Sequence, residues 1–225
     1  MSDKPLTAII VGAGHRAAAV YAAYALKHPE RLTILGVADP IPHRREQTAK
    51  TYGLAPGQCY ESAEALAAKG KIADAVINGT MDAEHVPTTL PLLAAGYAVL
   101  LEKPFAVSEK EVATLSAAVR KTGRKVMICH VLRYTPYYGS IYQRVASGEL
   151  GELVNLQLTE HVSYHHGAVA FIRGKWGNEK ECGSPILLAK CSHDLDLLMW
   201  MKRGVRPERV SSFGGILHFR PEGAP

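Results

Sequence analysis

Between residues 6 and 129 short apolar runs alternate with segments of helical pattern, and that alternation leaves few folds open. Thr7-Ala8-Ile9-Ile10-Val11 is an apolar run closed by Gly12, the pattern of a buried strand. Residues 15–27 are alanine-rich and helical, ending near His28-Pro29. Residues 32–38 form the next strand, closing at Asp39-Pro40. Residues 44–52 and 62–69 read as helices stopped by Gly53 and Gly70. Strands over 73–77, 98–101 and 125–129 are separated by helices over 83–95 and 108–121. Ser108 suits the N-cap of the last of these, with acidic residues in its first turn. Strands separated by helices imply an α/β fold with a parallel sheet and right-handed crossovers.

After about residue 130 the pattern changes. Residues 137–147 look helical, and residues 153–162 alternate like a strand with one wet face. Residues 167–183 read as a loop rich in Gly, Arg, Lys and Trp, and residues 185–201 as an apolar helix. Residues 210–219 read as a further strand. The expected organisation is a dinucleotide-binding domain over 1–130 and a second α/β domain over 131–225, with an open, mainly antiparallel sheet. Two strands and two helices are too few to cover both faces of such a sheet. Either another chain completes it or the sequence is a piece of a longer protein; the second is favoured.

Gly12, Gly14 and Ala17 follow a strand and open a helix. The first glycine permits a tight turn, the second lets the backbone approach a pyrophosphate, and Ala17 keeps the helix close to the strand. The helix N-terminus then offers N–H groups and a positive dipole end to phosphate. Asp39 ends the second strand, where an acid accepts the ribose 2′-OH and repels a 2′-phosphate. That points to NAD. Arg44 and Arg45 lie just downstream, so NADP stays possible; their alternative role is a solvated helix face. Glu102-Lys103-Pro104 follows another buried strand, which sets an amine at the rim where open α/β sheets put their ligands. A nucleotide loop and a lysine at one rim suggest a redox enzyme whose lysine handles a proton.

Several classes are excluded. The 47% hydrophobic content is that of a globular domain, and no apolar run is long enough to span a bilayer. The first residues lack a signal-peptide pattern, so a cytoplasmic setting is expected. Cys59, Cys129, Cys182 and Cys191 are scattered without a C-x-x-C pair, which argues against zinc or a disulfide framework. The net charge of +5 comes from dispersed Lys and Arg, with no nucleic-acid motif.

The sequence resembles the Gfo/Idh/MocA oxidoreductases, named for glucose–fructose oxidoreductase and inositol dehydrogenase. The resemblance rests on Gly12-Ala13-Gly14-His15-Arg16, on Asp74-Ala75-Val76-Ile77 leading to Thr80 and His85, and on residues 94–104 ending in Glu-Lys-Pro. It continues with Arg133-Tyr134 and Lys190-Cys191-Ser192-His193-Asp194-Leu195-Asp196. It implies NAD(P) in an N-terminal Rossmann domain, a sugar, cyclitol or related polyol as substrate, and a homo-oligomer built through the C-terminal sheet. Lys103 looks like the catalytic lysine and His193 like the catalytic histidine. A lysine acts as a base near neutral pH when burial or positive charge lowers its pKa. The family's usual aspartate four residues before the histidine is Ala189 here. Lys190, His193 and Asp194 share one helical face, so Asp194 replaces that charge or Lys190 grips a substrate group. Asp196 is expected as a cap or salt-bridge partner. Thr80, His85 and Glu102 are expected at the cofactor, and Arg133, Tyr134, His161, Arg173 and Trp176 around the substrate. Two rival readings keep the fold: a glycosidase that uses NAD for transient oxidation and elimination, and a non-catalytic NAD(P)-binding regulator.

Overall fold

The computed structural model describes residues 4–215, 217 and 220. Six parallel strands form one sheet: β1 (Leu6–Val11), β2 (Leu32–Ala38), β3 (Cys59–Tyr60), β4 (Ala75–Asn78), β5 (Ala98–Leu101) and β6 (Val126–Ile128). Their order is β3-β2-β1-β4-β5-β6. The chain starts at the middle, winds out to one edge, returns, and winds out to the other. The reversal lies between β1 and β4, the point where open α/β sheets place a ligand at the carboxyl ends of the strands.

The apolar runs are continuous because both faces of the sheet are covered. Ile9, Val11, Val76, Val99 and Leu101 point to one side and meet Leu66, Leu92, Leu93 and Leu115 from the helices Ala63–Ala67, His85–Ala94 and Glu109–Thr122. Ala8, Ile10, Val37 and Ile77 point to the other and meet Ala17, Ala22 and Ala25. Small alanines let the chain after the glycine loop lie close on the strands. Ser108 caps its helix as expected: its Oγ accepts the Glu111 N–H at 3.3 Å, and Glu111 Oε2 accepts the Val107 N–H at 2.8 Å.

One helix departs from the expected form. Residues 15–27 are not a continuous α-helix; a wide π-type turn, His15–Tyr21, precedes the short α-helix Ala23–Lys27. The Ala22 N–H donates to the Ala17 carbonyl at 2.8 Å, five residues back. The Tyr52 hydroxyl donates to the Ala18 carbonyl at 2.9 Å, so the wide turn is held from a neighbouring helix.

The described chain divides into two compact units. One holds the residues up to Cys129 together with Cys182–Ser184; the other holds His130–Glu181 and the chain from Pro185 onward. In the second, the helices Pro136–Ala146 and Ile186–Met201 form as the sequence suggests. The expected loop over 167–183 contains a wide helical turn, Gly167–Ile172, and a short helix, Glu179–Cys182.

The antiparallel sheet expected for the second half is not formed among the described residues. Residues 153–162 and 210–215 carry no strand, and part of the last expected strand, at 216, 218 and 219, lies outside the described residues. Alternation marks which side chains would face a core, but a strand exists only when a neighbour completes its hydrogen-bond ladder. Among the described residues no helix is long and apolar enough to cross a membrane.

Candidate functional site

The sheet register builds a row of functional positions. Val11 pairs with Ala38 and with Asn78, Asn78 with Leu101, and Leu101 with Ile128. The next residue of each strand therefore lands on one rim: Gly12, Asp39, Gly79, Glu102 and Cys129. The ladder runs on through this row. Gly12 N–H donates to Ala38 O, Gly79 to Val11 O, Glu102 to Asn78 O and Cys129 to Leu101 O, all at 2.8–2.9 Å. The glycine loop, the acid after β2 and the Glu-Lys-Pro segment are thus set side by side by backbone alone.

Two glycines in this row have a steric reason. Gly12 has φ +75°, and a Cβ there would lie 2.7 Å from the Thr80 nitrogen. A Cβ on Gly79 would lie 2.8 Å from the Ala17 Cβ. These contacts lock the start of the wide turn against the end of β4. A Cβ on Gly14 would meet nothing within 4 Å, so space is open beside the loop. His15 and Arg16 follow it and are exposed.

Asp39 is 2% exposed. Its Oδ2 accepts the Ala13 N–H and its Oδ1 the Ile41 N–H, both at 2.8 Å. Arg45 donates to the Asp39 carbonyl at 2.6 Å, and the Arg44 guanidinium lies 3.9 Å from Oδ2. The acid thus holds the glycine loop in shape, and a carboxylate oxygen keeps a further lone pair for a hydroxyl donor.

The backbone on both sides of Lys103 is pinned. Glu102 is 5% exposed; its Oε1 accepts the Tyr21 hydroxyl and its Oε2 the Lys103 N–H, each at 2.6 Å. The Arg16 guanidinium lies 3.9 Å from Oε1. After the lysine, joined through a cis peptide bond, the Pro104 carbonyl lies 2.6 Å from Nδ1 of His85. Nε2 of His85 lies 3.2 Å from the Thr80 carbonyl, and the ring is 1% exposed. Thr80 donates through both N–H and Oγ1 to Asn78 Oδ1, and the Asn78 amide donates to Thr88 and Thr89. Lys103 itself is half-buried. Burial, then the bond to Glu102, drives the Tyr21 phenol far above its ordinary pKa. Burial, then the Glu102 charge, pushes the Cys129 thiol up to about 12. Both stay protonated near neutral pH.

The other expected residues lie in the second unit. On the helix Ile186–Met201, Lys190 Nζ stands 5.9 Å from the Phe171 ring centre, and the His193 ring meets His130 edge-on at 6.1 Å. Burial, then Glu160, holds the Asp194 carboxyl above the usual carboxylate range, and its Oδ2 has no hydrogen-bond partner among the described residues. Asp196 grips Arg133 in a two-bond fork, 2.6 Å each, so it is a salt-bridge partner. The Arg133 guanidinium also lies 5.5 Å from the Trp200 ring, which stacks on Tyr142 at 4.0 Å. Trp176 sits 6.1 Å from Phe171 with Lys175 over its face. Tyr134, at 69%, and His161 and Arg173 are exposed. The structure therefore groups Lys190 with Phe171 and Trp176, and sets His193 beside His130.

Sequence reasoning missed Tyr21 and Asn78. An amide closing an otherwise apolar strand was the available signal for Asn78. Tyr21 offered none, since its reach depends on the wide turn. Among the described residues no group of three or more His, Cys, Asp or Glu could hold a metal.

The family described as an oxidoreductase family with an NAD-binding Rossmann fold matches residues 6–130. The chain is 35% identical to the trans-1,2-dihydrobenzene-1,2-diol dehydrogenase of Oryctolagus cuniculus over 120 residues, covering 53% of this chain and 36% of that protein. It is 28% identical to the scyllo-inositol 2-dehydrogenase (NAD(+)) of Bacillus subtilis over 185 residues, covering 81% and 49%. The crystal structure of the WlbA dehydrogenase from Bordetella pertussis, in complex with NADH and UDP-GlcNAcA, shares the fold. The TM-score is 0.72 at 21% identity, covering 90% of this chain and 58% of that one. The chain spans between 34% and 51% of the length of the curated relatives it matches.

Proposed function

The chain belongs to the Gfo/Idh/MocA oxidoreductase family with its NAD-binding Rossmann fold, and on that premise we propose that it is an NAD(P)-dependent dehydrogenase of a polyol. The substrate class is a sugar, cyclitol or related diol, which agrees with the compounds named for its relatives. The observation that carries the reading is the row at the carboxyl rim, where the glycine loop, Asp39 and Glu102-Lys103 stand on adjacent parallel strands.

The residues present fit a dinucleotide. Open space beside Gly14 and the close approach at Gly12 suit a pyrophosphate passing over the loop, with His15 and Arg16 beside it. Asp39 suits the ribose hydroxyls, and Thr80, His85 and Glu102 support the segment around Lys103. Bound there, NAD or NADP supplies the hydride acceptor. Lys103 takes the proton of the substrate hydroxyl, and His193 orients that hydroxyl and shares the proton. Lys190 and Asp194 supply charge on the His193 helix. Arg133, Tyr134, His161, Arg173 and Trp176 are assigned to the substrate side, Arg133 acting there through its ion pair with Asp196. Residues 1–130 would hold the cofactor and residues 131–225 the substrate.

The test is reduction of NAD+ and NADP+ across a panel of polyols. Lys103→Ala should lower turnover by about 10²–10⁴, the usual size of a general acid–base effect, with NADH binding largely kept. Unchanged turnover in that variant removes Lys103 from the chemistry.

A further inference from the structure

The wide turn His15–Tyr21 has a consequence at the far side of the rim. A π-type turn advances fewer degrees per residue than an α-helix, so the last residue of the turn faces a different direction. Here that residue is Tyr21, and its hydroxyl reaches Glu102 on the strand two places across the sheet. Glu102 is buried and accepts two short bonds at once, from the Tyr21 hydroxyl and from the Lys103 N–H. Arg16, from the same wide turn, adds positive charge 3.9 Å away. A carboxylate with both oxygens engaged has no freedom to rotate, and the amide it accepts is held with it.

We propose that Tyr21 is a positioning residue for Lys103 and acts through Glu102. The turn that shapes the cofactor loop thereby also fixes the backbone of the proton-handling lysine. This rests on the assignment of Lys103 made above, but the coupling itself is a property of the folded chain. Burial of the phenol, which keeps it protonated and donating, agrees with the role. So does the Cys129 thiol beside it, which is held neutral and adds no competing charge.

The experiment is residue-resolved amide hydrogen exchange on the whole chain, wild type against Tyr21→Phe, which removes a single hydroxyl. Three amides of the rim are compared. The Lys103 N–H depends on Glu102 Oε2, whereas the Glu102 N–H bonds to Asn78 O and the Cys129 N–H to Leu101 O. The expected result is exchange about tenfold faster at Lys103, with the two ladder amides unchanged. Unchanged exchange at Lys103 overturns the proposal. Equal acceleration at all three also overturns it, since Tyr21 would then only support the sheet. In NADH formation from a polyol, the variant should lower kcat about tenfold while KM for NAD+ stays within about twofold. If no polyol reduces NAD+, the functional reading fails, and the amide measurement still decides the role of Tyr21.

Discussion

Asp194 is half-buried on its helix, and one carboxylate oxygen has no hydrogen-bond partner among the described residues. Its carboxyl is held above the usual range by burial and then by Glu160. A raised carboxyl favours folding while it is protonated, and that contribution is lost as pH rises through its folded value. At neutral pH the charge is therefore a liability. Asp194→Asn should raise thermal stability at pH 7 by roughly 0.5 kcal/mol once solvent screening is allowed for, ~1–2 °C for a chain of this size, and by less toward the ordinary carboxylate range. Thermal melts at several pH values check this. The same substitution lowers turnover if Asp194 serves the reaction, a trade of stability for activity. Cys129 gives a prediction at the other end of the scale. Its free thiol titrates near 9 and its buried one near 12, so its contribution is complete below pH 9 and lost as pH climbs toward 12. Urea midpoints should fall between pH 9 and pH 11, and Cys129→Ala should flatten that fall. At this scale the glycines, Asp39 and Lys103 were legible because each stands just past a strand. Tyr21 was not, since one wide turn decides where it points.

The strands of the sheet were legible because burial on both faces writes them as unbroken apolar runs. β3 was not, since its two residues, Cys59 and Tyr60, are too few for any period to show. The alternation over 153–162 is real, but pattern alone does not supply a ladder partner. The junction of the glycine loop with the end of β4 leaves no room for an added carbon. Gly79→Ala puts a Cβ 2.8 Å from that of Ala17, whose backbone also lies close. Overpacking of this kind costs about 1–3 kcal/mol. The shift also moves the start of the wide turn, so NADH affinity should fall together with the denaturation midpoint. Fluorescence titration with NADH beside a urea melt checks both; an unchanged affinity would separate the loop from the cofactor.

The division of the whole molecule does not follow the order of the chain. Cys182–Ser184 is grouped with the N-terminal unit although it is reached only after the fifty-two residues His130–Glu181 of the second unit have passed. The Ser184 hydroxyl is buried and donates to the Asp82 carboxylate, and the Cys182 thiol donates to the Ser184 carbonyl at 3.2 Å. Ser184→Ala leaves a buried acceptor short of a donor and should lower stability by about 1–3 kcal/mol, read as a drop in the melting temperature. No periodicity in the sequence marks such a contact, because a single hydrogen bond across 102 positions leaves no repeat. It also sets an order of events during synthesis. The six strands have all been made by residue 128, yet the serine that closes on Asp82 leaves the ribosome some fifty-six residues later. At roughly 5–20 residues per second, that is a wait of about 3–11 s. A nascent chain paused in that interval would carry all six strands while the Asp82 carboxylate still awaits the Ser184 hydroxyl.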